Sequence, residues 1–295
     1  MNGTMNRLGS WRLGWAMLGS AVLMMTAVAC SAEEAPLVIE VEPSRVSTEA
    51  LHPLLGANVV YLGEQHDRAA DHVTQLAIIQ GLYREEPNLA IALEMFQRPF
   101  QPVIDRYLAG DISESELRAQ TEYDQRWGFP WQYYAPILRF AKDNQLPVLA
   151  LNAPSEVVSQ VADAGLDSLT PEDFRYLPPR RDIDTGNSDY QAIVRDSFAG
   201  HGSHGDFNFD NFFAAQVTWD ETMAETIANF WRDSPDTTVV VLAGSTHIIY
   251  GYGIPDRVAR RLGDSLQQTT VLLNFPQPKP SNAADAIADV LWYSD

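Results

Sequence analysis

Two apolar runs without polar alternation constrain the fold of this chain more than any other feature. Val239-Val240-Val241-Leu242-Ala243 and Val59-Val60-Tyr61-Leu62 each run unbroken into a glycine, Gly244 and Gly63. A strand that alternates apolar and polar residues shows one face to water. One that does not is buried on both faces, the usual condition of a central parallel strand. Three positions after each glycine stands a histidine, His247 and His66. The polar chemistry therefore begins where a buried strand releases its chain, which in an open α/β sheet is the ligand-binding edge. Two strand-Gly-x-x-His units predict one site built twice from the same pattern.

The remaining segments extend this pattern. Leu89 to Phe96 is a second buried strand carrying Glu94 near its end, Leu146 to Asn152 a third ending in an amide, and Thr269 to Phe275 the last strand. Leu37 to Val41 reads as a short first or edge strand. Helical periodicity covers Ala69 to Arg84, closed by Pro87, then much of 100–142, Ala214 to Arg232, and Pro255 to Leu262. Thr170-Pro171-Glu172-Asp173 has the residues of a helix start. The proline-rich tail from Pro276 is expected to end in a short helical segment. Strands alternating with helices predict an α/β fold, a largely parallel β-sheet flanked by helices in a single domain over 46–276. A chain of 295 residues is long enough for one such domain.

Residues 178–210 depart from this pattern. Their glycines, prolines and charges read as a helical lid or insertion. His201 and His204 within it have metal-ligand spacing, but flanking glycines leave them unfixed, so a solvated loop is expected there. The aromatic cluster from Tyr123 to Tyr134 can line a flat apolar ligand, but such density reads first as core.

The amino terminus reads as a targeting segment. Arg7 and Arg12 precede an apolar stretch from Leu13 to Val28, which ends in Ala27-Val28-Ala29-Cys30. That stretch is short for a spanning helix. The single cysteine of the chain, Cys30, falls at the junction and precedes a polar tether. The expectation is a signal peptide over 1–29 of bacterial lipoprotein type, lipidation of Cys30 with a tether over 30–45, and a tail over 277–295. Lipidation implies membrane attachment at the bacterial cell envelope, in the outer membrane. With one cysteine, no disulfide, iron–sulfur cluster or cysteine-held zinc site can form within the chain. A net charge of −19 repels phosphate backbones and argues against nucleic acid as a partner.

The polar residues at separate strand ends are Glu64 and His66, Glu94, Asn152, and His247 with Tyr250 and Tyr252. Two histidines and two carboxylates permit hydrolysis, with a divalent metal held by Glu64, His66, Glu94 and His247 or with a histidine as general base. The same histidines can instead bind a carboxylate. A phenolate oxygen suits ferric haem, and both tyrosines lie in a glycine-spaced loop that a planar ligand can approach.

Six motifs in order resemble the ChaN family of haem-binding lipoproteins. They are Gly63-Glu64-Gln65-His66-Asp67, Leu93-Glu94-Met95-Phe96, Trp127-Gly128-Phe129-Pro130-Trp131 with Tyr133 and Tyr134, Leu151-Asn152-Ala153-Pro154, Trp219-Asp220-Glu221-Thr222-Met223-Ala224, and His247 to Pro255. The resemblance covers residues 55–275. It implies haem or iron uptake at the envelope, with haem held by a tyrosine and assisted by histidine in a pocket that a second subunit can complete, a homodimer around haem. It also implies a wider superfamily with Tiki-like and erythromycin-esterase-like members, in which the Gly-x-x-His pairs and the glutamate serve hydrolysis of ester or peptide bonds. Carried over, Glu64, His66, Glu94 and His247 match the superfamily site, Tyr250 is the first choice as haem ligand and Tyr252 the second. His66 and His247 would assist, and Arg180 and Arg181 would meet the propionates. Ser245-Thr246 before His247 departs from the smaller or amide residues expected there.

Overall fold

The computed structural model describes residues 36–199, 208–263, 266–276 and 286–294. The signal segment, Cys30 and the His201/His204 pair lie outside the described residues. The first half of the chain forms β1 (Leu37–Glu40), α1 (Thr48–Leu51), β2 (Val59–Glu64), α2 (Ala69–Glu85), β3 (Leu89–Gln97), α3 (Gln101–Ala109), α4 (Glu114–Gln120), α5 (Tyr123–Arg126) and α6 (Trp131–Asp143). The second half forms β4 (Val148–Asn152), α7 (Ser155–Ala164), α8 (Ser188–Ala199), α9 (Phe209–Asp233), β5 (Thr238–Gly244), α10 (Ile254–Leu262), β6 (Gln268–Leu273) and β7 (Val290–Tyr293). Short 3-10 turns link several of them.

The strands make one sheet in the order β1-β7-β6-β2-β5-β3-β4, and every pairing is parallel. The expected α/β architecture is thus present. All residues of β2, β3 and β4 are buried, which is why these segments carry no polar alternation. Each fully covered Val, Leu or Ile contributes about 1.5–3 kcal/mol of burial. On one face Leu62, Val240 and Leu242 pack against Ile78, Ile79 and Leu82 of α2 and Ile137 and Leu138 of α6. On the other, Tyr61, Val241 and Ala243 meet Met223, Ala224 and Ile227 of α9 and Val258 of α10.

β5 inserts between β2 and β3, so the order reverses at the centre of the sheet. The register sets Gly63 beside Ala243 and Glu64 beside Gly244. The two Gly-x-x-His strand ends are therefore immediate neighbours at a topological switch point, where open α/β sheets bind ligands.

Three expectations need correction. The tail does not end in a helix: Val290-Leu291-Trp292-Tyr293 is β7, paired between β1 and β6, so Thr269–Phe275 does not supply the last strand. Four apolar residues are too few to separate strand from helix by period. Together with β1, this draws parts of the presumed tether and tail into the sheet. Thr170-Pro171-Glu172-Asp173 opens only a 3-10 turn, Asp173–Tyr176, whose first carboxylate turns back onto Thr170 N and Oγ1 at 2.7 and 2.8 Å. Pro178 and Pro179 stop it from continuing.

The described part of the 178–210 excursion is docked. Ile183, Tyr190 and Val194 bury against Val158 and Val161 of α7 and Phe213 and Val217 of α9. Among the aromatics of 123–134, Tyr123, Trp131 and Tyr134 belong to the core, as expected. Trp127 and Phe129 sit at its margin and reach the site.

Candidate functional site

Where β2 ends, the sheet's pleat turns Glu64 toward α2 and α6. There its Oε1 accepts the Tyr134 hydroxyl at 2.6 Å and lies 2.7 Å from His66 Nδ1, while Oε2 accepts the Gln75 amide at 2.7 Å. His72, one turn along α2, approaches Oε2 at 3.5 Å and its Nε2 lies 3.1 Å from the His66 carbonyl. Tyr133 stacks on the His72 ring. These contacts orient the His66 imidazole through Nδ1 and leave Nε2 to face the strand ends. Trp127 and Phe129 wall the ring at centroid distances of 4.7 and 4.9 Å.

The second histidine is held the same way by other elements. His247 Nδ1 lies 2.6 Å from Asp220 Oδ1 of α9, and the Tyr190 hydroxyl of α8 donates to Asp220 Oδ2 at 2.8 Å. The Gln216 amide donates to that hydroxyl at 3.1 Å and lies 3.1 Å from His247 Nδ1. Each imidazole thus has a carboxylate on Nδ1, and each carboxylate receives a tyrosine hydroxyl beside a glutamine amide.

Glu94 stands between the two units. Its Oε2 accepts Gly244 N at 2.7 Å, and its Oε1 lies 3.4 Å from His247 Nε2. On the far side of Gly244 is His66: a Cβ on that glycine would fall 2.9 Å from His66 Nε2. The glycine therefore provides the space in which the two strand ends meet. Glu64, His66, Glu94 and His247 are brought together as expected.

The charges of this centre support one another. Burial raises the Glu64 carboxyl, but His72, His66 and Tyr134 outweigh it and bring the group to about 2. Burial also opposes the charge on His247, yet Glu94 and Asp220 raise it to about 10. His66 moves up in the same way through Glu64 and Glu94, and Glu94 moves down through His247 and His66. At neutral pH, then, Glu94 and Asp220 face His247 as an imidazolium, an arrangement that places positive charge at the strand ends. Among the described residues no three His, Cys, Asp or Glu side chains are arranged to hold a metal ion. The divalent-metal expectation on these four residues finds no support in the geometry.

Other predicted residues lie elsewhere. Tyr250 has φ of 57° and is 37% exposed, and its ring stacks on Tyr252 at 5.7 Å. The two line a cleft of about 910 Å³ with Pro36, Leu37, Pro255 and Ala288, away from the four-residue centre. Arg180 and Arg181 are exposed on a 3-10 turn and meet Asp167 and Asp182 at 3.4 and 3.6 Å, with no contact to the centre. Asn152 folds its Oδ1 onto Ala153 N at 2.9 Å.

The supports of the centre, Gln75, His72, Tyr134, Tyr190, Gln216 and Asp220, were not legible as site residues. Their signal was polarity at core-facing helical positions: Gln216 and Asp220 are one turn apart on the buried face of α9, and His72 and Gln75 likewise on α2.

Fold and site together define a parallel α/β protein with a paired histidine–carboxylate centre at its strand ends. The chain belongs to the family described as haem-binding uptake, Tiki superfamily, ChaN, whose model matches residues 50–258. A solved structure of cofacial haem binding to ChaN of Campylobacter jejuni shares the fold at a TM-score of 0.62 and 20% identity, covering 86% of this chain and 98% of that one. Protein RETICULATA-RELATED 5, chloroplastic, of Arabidopsis thaliana is 28% identical over 261 residues, 82% of this chain. The match spans 34%, about a third, of that longer protein. An erythromycin esterase, EreC, aligns more loosely, at a TM-score of 0.48 and 14% identity over 82% of this chain and 79% of its own.

Proposed function

We propose that this protein binds haem at the bacterial cell envelope, in haem or iron handling, and is held at the outer membrane by a lipid on Cys30. Family membership supports the ligand class. The observation that carries the reading is Tyr250, a large side chain left 37% exposed on the wall of a cleft of about 910 Å³. Ligand sites commonly run to about 300–1,000 Å³ and are mostly apolar. Prolines, Leu37 and the stacked tyrosines supply flat apolar walls, and the phenol oxygens are the hard donors that ferric haem takes. Tyr250 is the first candidate ligand and Tyr252 the second. Among the described residues no arginine lines this cleft, and Asp256 and Asp289 do, so propionates would point out toward solvent or a second subunit.

The test is a titration of the mature domain with ferric haem. A saturable Soret change, weakened by Tyr250→Phe or Tyr252→Phe, is expected, and its absence overturns the reading. For the anchor, wild-type chain made in a bacterial host should partition with membranes while Cys30→Ala does not. Equal partitioning of the two removes the lipid from the proposal.

A second reading rests on a separate observation, the two carboxylate-oriented imidazoles beside Glu94. It is a histidine-based hydrolase, in which the imidazoles of His66 and His247 face a developing oxyanion, with His247 as the charged donor, and Glu94 polarises water. The walls of Trp127 and Phe129 suit an apolar ester. Hydrolysis of an ester panel that persists in EDTA and is lost in His66→Ala is expected; activity unaffected by that substitution sinks the idea.

A further inference from the structure

The two imidazole supports are alike in chemistry and unlike in foundation. Tyr134, which serves Glu64 and His66, is in α6, packed against α2 in the main core. Tyr190, which serves Asp220 and His247, is in the first turn of α8, the helix of the polar excursion. It is fully buried, and burial holds its hydroxyl far above the ordinary phenol range, so it remains a neutral donor. Asn187 fixes the start of that helix by accepting Tyr190 N at 2.9 Å. The guanidinium of Arg257 lies 5.4 Å from the ring centroid. The hydroxyl is a junction: it donates to Asp220 Oδ2 and accepts from Gln216, and both of those residues touch His247 Nδ1.

We propose that Tyr190 is a positioning residue that couples the seating of α8 to the orientation of His247. With α8 seated, Asp220 has both oxygens engaged and one direction in which to hold the imidazole. With α8 raised, Oδ2 loses its donor, Gln216 loses its acceptor, and the Asp220–His247 contact opens to water. The His66 half has no such dependence, because its tyrosine belongs to the core. The excursion thereby has a route to one half of the centre and not to the other, so a ligand that holds or displaces α8 acts on His247 selectively. The inference rests on the second functional reading, in which His247 is a working member of the centre. Its test observes the imidazole itself and uses neither haem nor ester, so its failure is distinguishable from that of the reading.

The experiment is solvent exchange of imidazole N–H protons in the mature chain labelled with ¹⁵N-histidine. The full chain has six histidines, so His247→Gln and His66→Gln assign the two signals. Tyr190→Phe should speed exchange at His247 Nδ1 by about tenfold, the factor carried by one hydrogen bond to a charged group, and leave His66 within about twofold of wild type. A general loosening would move both alike. Unchanged exchange at His247, or equal acceleration at both histidines, overturns the proposal. Should Tyr190→Phe fail to fold, Asn187→Ala unseats the start of α8 without altering the buried hydroxyl, and it must show the same selectivity for the proposal to stand.

Discussion

Tyr134 and Tyr190 donate to the two carboxylates that orient His66 and His247, at 2.6 and 2.8 Å, from helices on opposite faces of the sheet. The repeated Gly-x-x-His motif is therefore repeated in its supports as well. The carboxylates come from different places: Glu64 is two residues from its histidine, whereas Asp220 is on a helix 27 residues before its partner. The same chemistry has been assembled once locally and once across elements.

Tyr134→Phe should destabilise the fold by about 1.5–3 kcal/mol, the range for a hydrogen bond to a charged group. Phe fills the same space, so the loss comes from Glu64 Oε1, left with His66 as its remaining partner. Urea unfolding should show a lower midpoint with an unchanged m-value. A midpoint equal to wild type would mean that water replaces the phenol without cost.

Glu94→Gln separates charge from hydrogen bonding. The amide oxygen can still accept Gly244 N, but the negative charge that most strongly raises His247 is gone. The His247 titration midpoint should fall from about 10 toward the ordinary imidazole value, followed by histidine NMR. A midpoint that does not move would assign the shift to Asp220 alone.

The fold was legible because parallel strands buried on both faces are apolar along their length and turn polar only toward their ends, and β2, β3, β4 and β5 show this plainly. The four central site residues were legible because they follow directly from those strands. Their supports were not, since Asp220 and Gln216 sit in α9 among Val217, Met223 and Ala224, where helical period identifies the buried face but not the partner across it. β7 escaped because its pairing with β1 and β6 is long-range, and four residues carry too little pattern. Arg180 and Arg181 matched by charge alone, and charge does not fix position.

Stability should be greatest on the acid side of neutrality. His247 is raised from 6.5 to about 10, so its contribution is complete below its unfolded value and is lost as pH rises through about 10. Asp71, raised by burial from 3.8 to about 6, acts in the same direction, because its folded form binds the proton more tightly. Glu64 acts at the other end, its contribution being lost as pH falls from 4.5 through about 2. The Tm should therefore peak at roughly pH 4 to 5, where the loss of Glu64's contribution on the acid side meets the loss of Asp71's on the other, and decline in steps toward about pH 10, with a shallower decline above neutrality in His247→Gln. A Tm that is flat to pH 10 in the wild type contradicts this assignment of charge.

Gly244 and Gly253 flank His247, and alanine at each should fail differently. A Cβ at Gly244 meets side-chain atoms of His66 at 2.9 and 3.0 Å. Part of that ring borders solvent, its side chain being 13% exposed, so it can swing away while the strand stays in place. Gly244→Ala should thus keep a near-native Tm and lose whatever function depends on His66. A Cβ at Gly253 meets His247 O, C and Cα at 2.1, 2.6 and 3.0 Å. Those are backbone atoms with no rotamer to change, so the loop from His247 to Gly253 must open and α10, which starts at Ile254, must lose its seat. Gly253→Ala should lower stability by at least ~2 kcal/mol and raise hydrogen exchange along α10, whereas Gly244→Ala should leave exchange in α10 unchanged. Equal effects from the two substitutions would mean that His66 is as immovable as backbone, and that the space at Gly244 is structural rather than part of the site.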